Sequence, residues 1–385
     1  HNIANAERTG GIIEPQIMKQ WFVAVNKPFT LKESRLDGIP SGSKTTLKEI
    51  MRAVISSGQI EIIPDYFDKT YFHWIDNLRD WCISRQIWYG HRIPVWYKDG
   101  KICCEVDPPK DSGWVQDEDT LDTWFSSALW TFSTLGWPQK TNDLEIYHPT
   151  DVLETGYEIL FFWVARMILM SGYLLGDIPF KKIYLHGTVR DSKGQKMSKS
   201  LGNGLDPIDI AKEYGMDAGR MALMVGIGAG TDSRISIEKI RGYKHFANKV
   251  WNIARFILSN TANMNYKDRP VLVEEDARSI QEMESTIDDI TVDMNGLRFH
   301  LAGEKIYHYM WGTLADKLIE ERKDKIFKGN AEEAASAIWT LYHIFIICTK
   351  VLHPFMPFVT EEIWSFLPHK KRPFLMLETW PTFKK

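Results

Sequence analysis

The sequence predicts an α/β region followed by an all-α region. Two periodicities carry that reading: short apolar runs cut by turn residues in the first part, and apolar residues recurring at helical spacing in the last. Up to about Pro149, Ile60-Glu61-Ile62-Ile63 and Ile93-Pro94-Val95-Trp96-Tyr97 are separated by Ser56-Ser57-Gly58, Asp99-Gly100 and Pro108-Pro109, the marks of a loop-rich α/β segment. From about His245, Phe246, Val250, Ile253, Ile257 and Leu258 share a helical face, as do Ile306, Met310, Leu314 and Leu318, which predicts a helical bundle.

Composition excludes several classes. The chain has 385 residues, 44% hydrophobic and 25% charged, with 47 Lys+Arg against 50 Asp+Glu, so collagen-like, disordered and disulfide-scaffold architectures are ruled out. Cys82, Cys103, Cys104 and Cys348 form no C-x-x-C pair, so no structural zinc is expected and a reducing cytoplasm fits best. Ile159 to Gly176 is strongly apolar, but Arg166 interrupts it, and Glu158 and Asp177 close it below the ~20 residues a membrane span needs. A buried helix and no membrane association are expected. The chain starts at His1 without a secretory signal and reads as cut from something longer.

Between Asp151 and about Tyr243, strand-like and helix-like stretches alternate. From Lys181 to Lys249 there are 13 Lys+Arg against 7 Asp+Glu, a local excess that suits a polyanion. Asp206 as cap, Pro207 at the first helical position and Gly215 as a left-handed terminator predict a helix over 207–214. Before it, the strand-like Lys182-Ile183-Tyr184-Leu185-His186 leads into Gly194-Gln195-Lys196-Met197-Ser198-Lys199-Ser200-Leu201-Gly202-Asn203. Glycines at both ends free this loop to move, and Lys196 and Lys199 put two flexible positive charges on it. Such a loop can close over a triphosphate; by itself it could equally be a solvated basic turn.

Lys196-Met197-Ser198-Lys199-Ser200 resembles the second signature motif of class I aminoacyl-tRNA synthetases, in the strand, loop, helix context that motif requires. Asp80-Trp81-Cys82-Ile83-Ser84-Arg85-Gln86 with Gly90-His91-Arg92-Ile93-Pro94, then Leu121-Asp122-Thr123-Trp124-Phe125-Ser126-Ser127-Ala128-Leu129-Trp130 and Phe161-Phe162-Trp163-Val164-Ala165-Arg166-Met167, are similar to the valyl branch of that family. Leu352-His353-Pro354-Phe355-Met356-Pro357-Phe358-Val359-Thr360-Glu361-Glu362-Ile363-Trp364 resembles its anticodon-binding bundle.

The resemblance implies the second half of a Rossmann-like nucleotide-binding fold, followed by a helical anticodon-binding domain. Its segments would be 1–28 as a strand returning from an editing insertion, 29–150 as a connective segment, 151–205 as the half-fold with the KMSKS loop, 206–245 as a stem-contact region and 246–385 as the bundle. It implies a valine-tRNA ligase that uses ATP with Mg2+, valine and tRNA(Val) in the cytoplasm, acting as a monomer. Lys196, Ser198 and Lys199 would be catalytic. Gly156, Glu158, His186, Gly187, Lys196, Met197 and Lys199 would bind ATP, with Glu158 standing where the family usually shows Asp. Trp124, Ile159 and Trp163 would line the valine pocket; Ile159 and Trp163, four apart, would share a helix face. The family's His-x-Gly-His signature is formed by none of the 11 histidines, because Trp88 stands where its first His should precede Gly90-His91. The first half of the fold would therefore lie outside this sequence, and the chain alone would be inactive. A non-catalytic tRNA-binding module, or a synthetase for a related amino acid such as isoleucine, remains the alternative.

Overall fold

A computed structural model describes residues 4–6, 10–14, 16–191, 193–198, 202–261, 268–368 and 370–383. The chain divides into two compact units, His1–Leu185 and His186–Lys385.

In the first unit, α1 (Leu47–Ser56) starts at a reciprocal cap. The Thr46 hydroxyl accepts from Glu49 N at 3.1 Å, and the Glu49 carboxylate accepts from Thr46 N at 2.7 Å. Its buried residues, Leu47, Ile50, Met51, Val54 and Ile55, fall on one helical stripe. β1 (Glu61–Ile63) and α2 (Phe67–Asp76) follow. β2 (Val95–Lys98) and β3 (Lys101–Cys104) form a hairpin whose turn, Asp99-Gly100, has positive φ at both residues, 49° and 77°. That geometry matches the twist of paired strands, and Asp-Gly is the dipeptide that tolerates it.

Short α3 (Thr123–Ser127) precedes β4 (Thr150–Gly156). The chain then enters a helical stretch made of a 3-10 turn (Tyr157–Ile159), a π-turn (Leu160–Val164) and α4 (Ala165–Leu174). β5 (Phe180–His186) ends the unit and lies centrally in a three-stranded sheet of order β4-β5-β1. β5 and β1 run parallel, with Ile183 opposite Ile62. The apolar stretch predicted as one buried helix is indeed built into the core through Leu160, Val164, Ala165, Met167, Ile168 and Leu169. It is not one regular α-helix, because the i→i+5 turn at 160–164 interrupts the ladder. By length and composition alone, this stretch and Ala331–Leu352 could cross a membrane; 50% and 56% of each respective window is buried within the protein.

The second unit opens with β6 (Val189–Arg190), then α5 (Pro207–Tyr214), with the bounds the sequence predicts; the Asp206 carboxylate accepts from Ile208 N at 2.8 Å. Gly215 departs from expectation. Its φ of 85° is positive, but its ψ of 141° is extended rather than left-handed helical, because the same residue must also start α6 (Met216–Met224). β7 (Ser233–Arg234) runs parallel to β6.

The bundle comprises α7 (Ile237–Asn260), α8 (Glu274–Asn295), α9 (Phe299–His308), a π-type continuation over Tyr309–Ile319, α10 (Glu320–Lys328), α11 (Ala331–Leu352) and α12 (Pro357–Ser365). The helix carrying Phe246 begins at Ile237, ahead of the stripe that starts at Phe246, because Ser236 caps it by accepting from Lys239 N at 3.2 Å. Phe246, Val250, Ile253 and Ile257 are buried with Ile306, Met310, Leu314 and Leu318 in one core.

Candidate active site

The sequence-derived site residues fall in both units. Trp124, Gly156, Glu158, Ile159 and Trp163 belong to the first; His186, Gly187, Lys196, Met197 and Ser198 belong to the second. Lys199 lies outside the described residues.

In the second unit, residues 189–191 and 193–198 form a clasped turn. Met197 N donates to Val189 O at 3.0 Å, Gly194 N donates to Asp191 O at 2.9 Å, and Arg190 bridges to Lys196 across the turn. The Asp191 carboxylate accepts from Lys193 N, Gln195 N and Asn203 Nδ2 at 2.8–3.0 Å. The Asn203 amide beside it, with the two backbone donors, holds that carboxyl below its usual range. Asn203 also accepts from Ser198 N at 2.9 Å and reaches Lys196 O at 3.3 Å, so one amide spans the lysine loop from its far end. The base of the turn is pinned by Asp232, which accepts from Arg190 Nε at 2.5 Å and Thr188 N at 2.8 Å. Gly187 packs against the 231–232 backbone: a Cβ there would lie 2.2 Å from Thr231 O and 2.4 Å from Asp232 N. His186 Nδ1 sits 2.8 Å from Gly187 O. The result is an anchored hairpin presenting Lys196 between two glycines of positive φ, Gly194 at 81° and Gly202 at 64°.

In the first unit, Asp122 organises the aromatic residues. Only 6% exposed, it accepts from Trp81 Nε1 at 3.0 Å and from Trp124 N at 3.3 Å, and it pairs with Arg85 at 2.9 Å. Trp163 Nε1 donates to Ser127 O at 3.0 Å, which joins the helical stretch after β4 to α3. The Trp124 ring stacks on Phe162, with centroids 6.1 Å apart, and Trp163 meets Trp130. Trp124, Ile159 and Trp163 are all half-buried; Gly156 is buried at the end of β4, and Glu158, two residues on, is exposed. Ile159 lies in the 3-10 turn and Trp163 in the π-turn, so the shared α-helical face expected for them is replaced by two different local geometries. Three cavities of the unit, of about 430–600 Å³, are lined by other residues.

Sequence reasoning assigned no role to Asp122, Asp191, Asn203 or Asp232. Asp191 had a local signal: an Asp three residues before Gly194 is the preferred start of a tight turn. Asp232 had none, being 42 residues from its partner Arg190.

The half-fold with its anchored lysine hairpin, followed by a helical bundle, is the arrangement of a class I aminoacyl-tRNA synthetase. The profile of tRNA synthetases class I (I, L, M and V) matches residues 2–108 and 108–236, and that of the anticodon-binding domain of tRNA ligase matches 276–385. The chain belongs to the class I tRNA synthetase family. Within it, the chain is similar to valine–tRNA ligases: 41% identical over 396 residues to that of Clostridium acetobutylicum, covering 100% of this chain and 43% of the relative. For the Geobacillus stearothermophilus enzyme the identity is 42% over 388 residues, covering 99% and 42%. The chain thus spans about two fifths of the length of these relatives and corresponds to their C-terminal part. Among solved structures, Mycobacterium tuberculosis methionyl-tRNA synthetase in complex with methionyl-adenylate aligns with a TM-score of 0.68 at 20% identity, over 89% of this chain and 68% of that one. A LeuRS–tRNA–LeuAMS ternary complex from Agrobacterium radiobacter K84 aligns at 0.64 and 22%, over 79% and 42%. These two likenesses are of fold.

Proposed function

We propose that this chain is the phosphate-loop half of the catalytic fold, together with the tRNA-binding bundle, of a cytoplasmic enzyme that joins valine to tRNA(Val) at the expense of ATP. The observation that carries the reading is the identity with valine–tRNA ligases along the whole chain. In the first step the valine carboxylate attacks the α-phosphate of ATP, giving valyl-adenylate and pyrophosphate. In the second, the 2′-hydroxyl of the terminal adenosine attacks the acyl carbon and AMP leaves. Negative charge grows on the α-phosphate and on the departing pyrophosphate. Lysines that reach it only when their loop closes favour the transition state over bound substrate. Lys196 and Lys199 take that role, and Ser198 is a polar partner.

Gly156, Glu158, His186, Gly187 and Met197 serve the nucleotide, and Trp124, Ile159 and Trp163 the valine side chain. Magnesium would arrive on the ATP phosphates; among the described residues no cluster of three or more His, Cys, Asp or Glu is placed to hold a metal. The segments 1–28, 29–150, 151–205, 206–245 and 246–385 serve as returning strand, connective segment, half-fold, stem contact and anticodon bundle.

The test is valine-dependent ATP–pyrophosphate exchange, on this chain alone and with the N-terminal half of a relative added in trans. Activity appearing only on addition, and abolished by Lys199→Ala, is expected. No exchange in either arm beside tight, salt-sensitive tRNA binding would overturn the reading in favour of a binding module. Exchange driven by isoleucine instead of valine would overturn the amino acid.

A further inference from the structure

The corner between α11 and α12 is fastened from another helix. Asp217 on α6, 5% exposed, accepts from Phe358 N at 3.2 Å on one carboxylate oxygen and from Val359 N at 2.7 Å on the other. Both donors lie in the first turn of α12, whose own N-cap residue, Met356, supplies no side-chain acceptor. The free N–H groups of a helix start need a partner, and here it comes from 141 positions before Phe358. One turn along α6, Arg220 donates through Nε to Phe355 O at 3.2 Å and through Nη2 to Pro354 O at 2.8 Å, at the rim of the same corner. The anion thus meets N–H groups and the cation meets carbonyls, each opposite in sign to the peptide atoms it faces. Burial pushes the Asp217 carboxyl above its usual range, while the two amides, Arg220 and His353 pull the other way.

α6 is also where two cores meet. Ala218 and Ala222 pack with Ile235 and Ile240, and with Val189 and Leu205 on either side of the lysine loop. Met221 and Val225 belong instead to the bundle core, together with Phe355 and Met356 of the corner. Apolar packing is non-directional and leaves an angle loosely set, whereas four hydrogen bonds from two charged side chains are met in one geometry. Buried charge adds little net stability; its best-attested use is to fix registry.

We propose that Asp217 and Arg220 are positioning residues for the transfer step. They fix the angle of the α11–α12 corner on α6, and through it the alignment of the bundle with the lysine hairpin, so that a tRNA held by the bundle presents its 3′ end to the aminoacyl-adenylate. The inference rests on the tRNA reading proposed above.

The test measures three quantities on this chain paired with the N-terminal half of a relative: valine-dependent ATP–pyrophosphate exchange, which needs no tRNA; the dissociation constant of tRNA(Val); and the single-turnover rate of valyl transfer from preformed adenylate. Asp217→Ala removes the acceptor of both α12 amides and should slow transfer by about tenfold or more, as small misplacements do, while exchange and tRNA affinity stay within about threefold. Arg220→Met, at the exposed rim, should slow it less, by about threefold. Asp217→Asn keeps the shape and one acceptor and should fall between Asp217→Ala and the parent; it carries the test where Asp217→Ala fails to fold by circular dichroism. Transfer within about twofold of the parent, or exchange and affinity falling in step with transfer in a folded variant, would overturn the proposal. Absence of exchange in the parent pair is the failure of the valine reading, and the angle is then read on this chain alone. Spin labels at Lys212→Cys on α5 and Glu362→Cys on α12, both exposed, with Cys82→Ser, Cys103→Ser and Cys104→Ser, report one distance distribution. Asp217→Ala should shift or broaden it, and an unchanged distribution refutes the role.

Discussion

Removing the carboxylate of Asp276 should unlock the bundle. Asp276 on α8 and Arg322 on α10 are both 0% exposed, and Arg322 Nε donates to Asp276 Oδ1 at 2.7 Å. Ser336 on α11 donates its hydroxyl to the other oxygen, Oδ2, at 2.5 Å and accepts from Val273 N at 3.1 Å. Arg322 Nη2 donates to Ser279 Oγ at 2.7 Å. Asp276→Ala deletes the acceptor of two of these bonds and leaves the buried guanidinium only Ser279, Leu318 O and a looser contact to Glu321 at 3.8 Å. Breaking a fully buried pair from one side costs about 3–5 kcal/mol, or a fall of roughly 10²- to 10³-fold or more in the folding constant. The two units need not unfold together, so the local opening free energy is read by amide hydrogen exchange of 274–295 and 331–352 during a urea series. A second arm separates charge from packing: Asp276→Leu with Arg322→Met removes both charges at similar volume and should be milder than Asp276→Ala alone. A loss below about 1 kcal/mol in Asp276→Ala, or a double variant as damaged as the single, would refute the reasoning.

Other expectations follow from single contacts. Gly187→Ala places a methyl 2.2 Å from the Thr231 backbone, which is not the movable tip of a side chain. A loss of about 1–3 kcal/mol is expected by thermal denaturation, with faster exchange over 187–198. Asp191→Ala removes the acceptor of Lys193 N, Gln195 N and Asn203 Nδ2, so exchange over 193–198 should quicken while α11 is unaffected. His148, His343 and His353 are each held below the usual imidazole value of 6.5, first by burial. The unfolded chain therefore takes up protons first as pH falls: their contribution is complete above 6.5 and is lost progressively below it, toward the depressed folded values. Melting temperature should drop on acidification through that range, and His343→Phe, which keeps a ring against Trp339 at the observed 4.7 Å stack, should flatten the slope.

How much was legible in the sequence depended on how local each interaction is. The α5 helix was readable to its ends because Asp206, Pro207 and Gly215 act within a turn of themselves, and the KMSKS loop was readable because its lysines and glycines lie within ten residues. Where the local backbone departs from regularity, the period misled. Ile159 and Trp163 are spaced for one face of an α-helix, yet a π-turn separates their geometries; α7 starts at the Ser236 cap, and Ile240 already lies buried in its first turn, ahead of the Phe246 stripe.

The sequence by itself determined the family, the order of an α/β part before a helical part, and which loop carries the lysines, since these rest on residue types and short spacings. Only the tertiary structure decided that Asp232 anchors Arg190 across 42 residues, that Arg322 has a buried partner 46 residues away, and that Gly187 must be glycine because Thr231 backs onto it. It also decided that, among the described residues, Arg166 finds no hydrogen-bond partner for Nε and Nη1. A side chain's type states what it can bond to; which group folding brings within 3 Å, and whether water is excluded there, follows from packing that no spacing along the chain records.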